Sequence, residues 1–142
     1  MSKKSAKIAA LIESCDTQGG RYDPHYPGYF ACFNVNLYYE AHDVLEELWL
    51  AEKPAPNSDY YKGLIQFAGA FVHLQKQRLN PSFRLFHLAL ANFQKYPEIH
   101  LSFDLANAKR LCLQYIERLE NSGFTENPYT PESAPRLSLL TD

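Results

Sequence analysis

Apolar residues recur at helical spacing along most of this chain, and prolines and glycines interrupt the pattern between segments. Lys3 to Cys15 predicts a short first helix that stops before Gly19-Gly20, a common helix-stop signal. Arg21 to Gly28 carries Pro24 and Pro27 and reads as loop. Tyr29 to Phe33 reads as one helical turn that breaks at Asn34-Val35-Asn36, where Asn36 suits either an N-cap or a left-handed residue. A second helix is predicted from Leu37 to Ala51. At about 100° per residue, Leu37, Ala41, Val44 and Leu48 form one narrow aliphatic stripe. Tyr38, His42, Leu45, Glu46 and Trp49 form a mixed stripe beside it, and Glu40, Asp43 and Glu47 take the solvent arc. A helix with two occupied faces touches neighbours on both.

The third predicted helix, Ser58 to Arg78, has Asn57 or Ser58 as its cap. Its apolar residues cover most of the circumference, which places it at the centre of the domain. Gly63 and Gly69 lower its intrinsic propensity, so each is expected to let a neighbouring helix come close. A fourth helix starts with Asn80 as cap and Pro81 at the first helical position, and Pro97 ends it. A fifth runs from Ser102 to Asn121, closed by Gly123, and the chain from Phe124 onward is extended. No segment has strand period. The predicted fold is all-α: a compact single-domain bundle of about five helices. Positions 1–20 hold the first helix, 29–122 the core, and 123–142 an extended tail that covers either its own domain or a partner.

Composition narrows the function classes. The chain has 142 residues, enough for one domain with a core, and 46% of them are apolar. A formal charge of −2 gives no basic face for nucleic acid or for an anionic membrane. Ten Tyr and nine Phe exceed what a small core usually needs, and such an excess points to an interface, so a homo-oligomer is an expected state. Cys15, Cys32 and Cys112 form no CxxC pair and are read as reduced thiols of a soluble, cytoplasmic protein. No segment approaches the roughly 20 apolar residues that span a bilayer.

Candidate chemistry concentrates on the second helix. His42, Glu46 and Trp49 stand at i, i+4 and i+7, which stacks them on one stripe. An imidazole and a carboxylate on adjacent turns can form an interior hydrogen-bonded pair, hold a divalent metal with a third ligand, or move a proton. His73 is the third metal ligand by residue type. With the second and third helices antiparallel, however, it falls about a turn and a half beyond His42. Tyr60, Lys62 and Gln66 are the residues of the third helix set to line the same pocket. In a buried pair, truncating Glu46 to Ala would cost about 1–3 kcal/mol. His25, His87 and His100 have no constellation around them, and no phosphate loop or nucleophile elbow is present.

The stretch Phe33-Asn34 through Tyr38-Tyr39-Glu40-Ala41-His42-Asp43-Val44-Leu45-Glu46-Glu47-Leu48-Trp49 resembles the signature of an uncharacterised prokaryotic family, domain of unknown function 309. So does Tyr60-Tyr61-Lys62-Gly63-Leu64-Ile65-Gln66 followed by His73. The resemblance implies a multihelical fold and no established activity. It joins His73 to the H-x-x-x-E-x-x-W pattern of His42, Glu46 and Trp49, and it sets Asn36 where members usually carry glycine.

The reading adopted is a binding or regulatory module whose His/Glu/Trp pocket holds a divalent metal or a small polar ligand. One alternative is a structural homodimer in which His42 and Glu46 only secure the fold; another is a metal-assisted hydrolase. Exposure separates them: an open cleft favours binding or catalysis, and a sealed one favours structure.

Overall fold

The computed structural model describes residues 3–53 and 55–141. Among the described residues six helices follow one another: α1 (Lys3–Glu13), α2 (His25–Asn34), α3 (Tyr38–Glu52), α4 (Ser58–Gln75), α5 (Leu79–Phe93) and α6 (Leu105–Asn121). Two strands of two residues each, β1 (Ile99–His100) and β2 (Phe103–Asp104), stand between α5 and α6. The fold is all-α and multihelical, as its period indicates.

Helix α4 is the hub. It packs against α3 on one side and α5 on the other; α5 in turn meets α6, and α2 meets α3. Phe67, Ala68, Ala70, Phe71 and Leu74 are fully buried along it. Phe67 stacks on Phe33 at 5.6 Å, and Phe71 meets the edges of Phe86 and Tyr115. These rigid rings account for much of the aromatic content and belong to the core rather than to an interface. Both α4 glycines face α5. A Cβ on Gly63 would stand 2.8 Å from the Phe93 ring, and one on Gly69 would stand 3.2 Å from the end of Leu85.

Several predicted boundaries differ from the observed ones: α1 and α4 end two and three residues early, at Glu13 and Gln75, and three helix starts differ for a physical reason. The stretch read as loop plus a single turn is the ten-residue helix α2. Pro24 precedes it with helical backbone angles, and Pro27 falls in its first turn. Proline there sacrifices no intrahelical hydrogen bond, so these two residues start the helix rather than break it. Likewise α5 begins at Leu79, two residues ahead of Pro81. Finally, α6 starts at Leu105, with the Asp104 carboxylate accepting from the Asn107 N–H. The residues just before it form the hairpin, which pairs Ile99 with Asp104 and His100 with Phe103. Leu101 and Ser102 at its tip both have positive φ, as a tight two-residue hairpin turn requires. Two-residue strands are too short to register as an alternating pattern.

Asn36 takes the left-handed conformation, φ 63°, between α2 and α3. The tail lies on its own domain. Leu137 is buried, and its N–H and C=O both pair with the side-chain amide of Asn34 at 2.7 and 2.6 Å. Leu139 bridges to Phe103, and Asn127 donates to the last-turn carbonyl of Leu74. Among the described residues no helix is long and apolar enough to cross a membrane.

Candidate functional site

The stripe of α3 opens onto two different depressions. Tyr39 and His42 form one wall of a groove of about 290 Å³ that runs along α4 and is closed on the far side by Leu85 of α5. Ile65, Gly69 and Val72 make its floor, and Gln66, His73 and Lys76 add polar groups. Trp49 faces a second depression with Lys53, Asp59, Lys62 and Tyr96, and Lys53 Nζ stands 4.6 Å above its ring. Glu46 lines neither. Successive α3 side chains turn gradually around the helix axis, so a shared stripe on α3 does not mean a shared cavity.

His42 and Glu46 are neighbours but not a sealed pair. His42 Nε2 lies 3.7 Å from Glu46 Oε2, beyond ordinary hydrogen-bond length, and the two side chains keep 33% and 44% of their surface exposed. The other ring nitrogen, Nδ1, is 3.2 Å from Asp43 Oδ1. The Trp49 indole N–H makes none of the hydrogen bonds among the described residues, and the ring lies partly buried against the core. An interior His–Glu–Trp network is therefore not what these residues form.

His73 does reach the groove of His42, although simple antiparallel register sets it too far along. The groove is long: Ile65 to Lys76 spans about 16 Å of helix at about 1.5 Å per residue. Its polar residues are therefore strung out rather than gathered. Among the described residues no cluster of three His, Cys, Asp or Glu side chains is placed to hold a metal ion, so His42, Glu46 and His73 do not fit a divalent cation as a three-ligand set. What His73 does have is a buried Nδ1 with no hydrogen-bond partner. Burial, then the nearby charges of Arg78, Lys76 and Arg84, lower the pKa of its ring. The imidazole is neutral at pH 7, with one donor and one acceptor nitrogen.

The other pocket candidates separate in the same way. Gln66 lines the groove and accepts from Asn92 Nδ2 of α5 at 2.8 Å, which leaves its own N–H groups for a ligand. Lys62 is exposed on the Trp49 side. Tyr60 lines neither depression, because it is completely buried. Its hydroxyl lies 2.6 Å from that of Tyr26, which donates to the Leu101 carbonyl at 2.9 Å, so Tyr60 is the donor to Tyr26.

His25, expected to have no constellation around it, has one. Its Nδ1 lies 2.8 Å from Asp23 Oδ1, and its Nε2 lies 2.8 Å from Glu47 Oε2. Burial alone would raise the Asp23 carboxyl, but the His25 backbone N–H and ring outweigh it and hold its pKa below the ordinary value. The Asp-x-His spacing was a legible local signal, because an aspartate readily bonds the backbone two residues on. The Glu47 contact needs the packing of α2 on α3 and was not legible.

No curated protein and no solved structure matches the chain. Every residue that lines the groove, from Tyr39 to Leu85, lies within one stretch that a family model recognises. Over residues 27–85 the chain matches the family described as Domain of unknown function (DUF309), and it resembles that family there.

Proposed function

We propose that this protein is a binding module whose ligand is a small molecule with an apolar body and a polar group, held in the groove between α3, α4 and α5. One observation carries this reading: an open apolar groove has, in its wall, a buried imidazole nitrogen without a partner. Leaving such a group unpaired costs about 1–3 kcal/mol, and folded proteins keep few of them. A ligand group that reaches this nitrogen, which a rotation of the His73 ring would bring to the groove, recovers that cost while its apolar part covers Ile65, Val72 and Leu85. The volume, about 290 Å³, is at the small end for ligand pockets and suits a compact molecule. The openness of the cleft beside His42 favours binding over a purely structural role for this face.

The test is a fragment screen of the full chain, labelled with nitrogen-15, using compounds of mixed charge. Binding is expected to shift the backbone amide signals of Gly69, Val72 and His73. Gly69→Met places a flexible side chain on the floor, and the exchange of glycine for a better helix former keeps α4 folded. The variant is expected to lose the shifts. Fragments that bind it as well as the wild type, or shifts that map elsewhere, overturn the reading.

A further inference from the structure

The His73–Lys76 end of this groove has a distinctive electrostatic character. Lys76 lines it, and Arg78 and Arg84 stand near enough to act on the His73 ring together with Lys76. The charges that act on the His73 ring are these three cations; the carboxylates of Asp43 and Glu46 lie beside His42 on the opposite wall. None of the three makes an ion pair among the described residues. A helix C-terminus explains part of this, because cations beside the last carbonyls of α4 offset its macrodipole. Arg84 has no such role, since it belongs to the second turn of α5, away from that helix's C-terminal end. Lys76 lines the groove beside a neutral, partnerless imidazole, at one end of a floor made of Ile65, Gly69 and Val72, and Arg78 and Arg84 add positive charge in its surroundings.

We infer that the ligand of this groove is an amphipathic anion, with its acidic head at the His73–Lys76 end and its apolar body along the floor towards Ile65. The inference rests on the binding role proposed for the same groove and adds the class of ligand. A carboxylate or phosphate head accepts a hydrogen bond from His73 and lies in the combined field of Lys76, Arg78 and Arg84. Charge-assisted bonds of this kind are about twice as strong as neutral ones. The apolar body gains from leaving water, and Gly69 lets it lie close to the α4 backbone. The head group is defined by its charge and acceptor oxygens, which a carboxylate and a phosphate monoester share.

Four probes with the same eight-carbon chain test this on the full-length protein: octanoate, octyl phosphate, octan-1-ol and octylammonium. Affinity is read by titration calorimetry, and location by the amide signals of Gly69 and His73. At least one of the two anions is expected to bind about tenfold more tightly than octan-1-ol, and octylammonium most weakly. Whichever anion binds more tightly identifies the head group, and either supports the inference. Lys76→Glu is expected to weaken the anion by about tenfold or more and to leave octan-1-ol unchanged. Arg84→Glu should act in the same direction, which guards against a local effect of the first variant. Added salt should weaken the anions only. If octan-1-ol binds the groove as tightly as the anions, or if both charge reversals leave anion affinity intact, the ligand is not an anion and only this inference falls. If no probe of any charge shifts the groove amides, the binding role falls with it.

Discussion

A single nitrogen shows how burial and charge combine in this protein. His73 sits in the last turn of α4, where Lys76 and Arg78 both donate backbone N–H groups to its carbonyl, so its backbone is well satisfied while its ring is not. Burial first, and the three cations second, lower the pKa of the ring below the ordinary 6.5. The unfolded chain therefore takes up a proton more readily than the folded one. The stability tied to a neutral His73 is complete above about pH 6.5 and is lost as pH falls towards the depressed folded value. His100 acts with the same sign, because burial lowers its pKa too. Urea midpoints are expected to fall between about pH 7 and about pH 5.5, and to fall less in His73→Gln. An equal fall in that variant would mean that His73 is not the group that titrates.

Between elements, the contact of α4 with α5 turns on two glycines that look alike along the chain. Alanine in place of either gains about 1 kcal/mol of helix propensity. At Gly63 the new methyl would meet the Phe93 ring at 2.8 and 2.9 Å and Asn92 Cβ at 3.2 Å, and Phe93 is fully buried. Overpacking of this kind costs about 1–3 kcal/mol, which exceeds the propensity gain. At Gly69 the methyl meets only the flexible end of Leu85 at 3.2 Å, and propensity wins. Gly63→Ala is thus expected to lower the melting temperature, and Gly69→Ala to leave it unchanged or raise it. Similar losses for both would show that the two contacts do not differ as the geometry says. The same scale corrects the weight placed on Glu46. A buried partner of His42 would matter by about 1–3 kcal/mol, whereas half-exposed ion pairs such as this one contribute about 0–1 kcal/mol.

For the molecule as a whole, the tail is a structural layer. Its irregular chain is anchored at Asn127, which bonds the end of α4, and again at Asn34, whose amide pairs both backbone groups of Leu137. Tyr129 adds a ring edge against Tyr38. Leu137 then joins a core shared with α2 and the hairpin, at 1% exposure. Truncating such a side chain costs about 2–5 kcal/mol, so Leu137→Ala is expected to destabilise the whole domain in one cooperative transition. Circular dichroism and limited proteolysis would check it. Release of the tail with the helices still at full stability would show that the tail is an independent strap.

Helical period was enough to establish the all-α fold, the central place of α4, the close approach at Gly63 and Gly69, and the two options for Asn36, of which the left-handed one occurs. Each of these follows from short-range geometry: a repeat of about 3.6 residues records which faces of a helix avoid water. What that repeat does not record is which neighbour covers a face. Packing alone placed His42 and Trp49 in different depressions, brought His73 into the groove of His42, buried Tyr60 beneath Tyr26, and joined His25 to Glu47. Pro24 and Pro27 read as loop along the chain, and the burial of Tyr26, Tyr29, Phe30 and Phe33 against the core selected the helix instead. The candidate site was thus half legible. Its residue types stand at helical spacing in the chain, while the cavity they share depends on how α3 and α5 lie against α4, which no local repeat encodes.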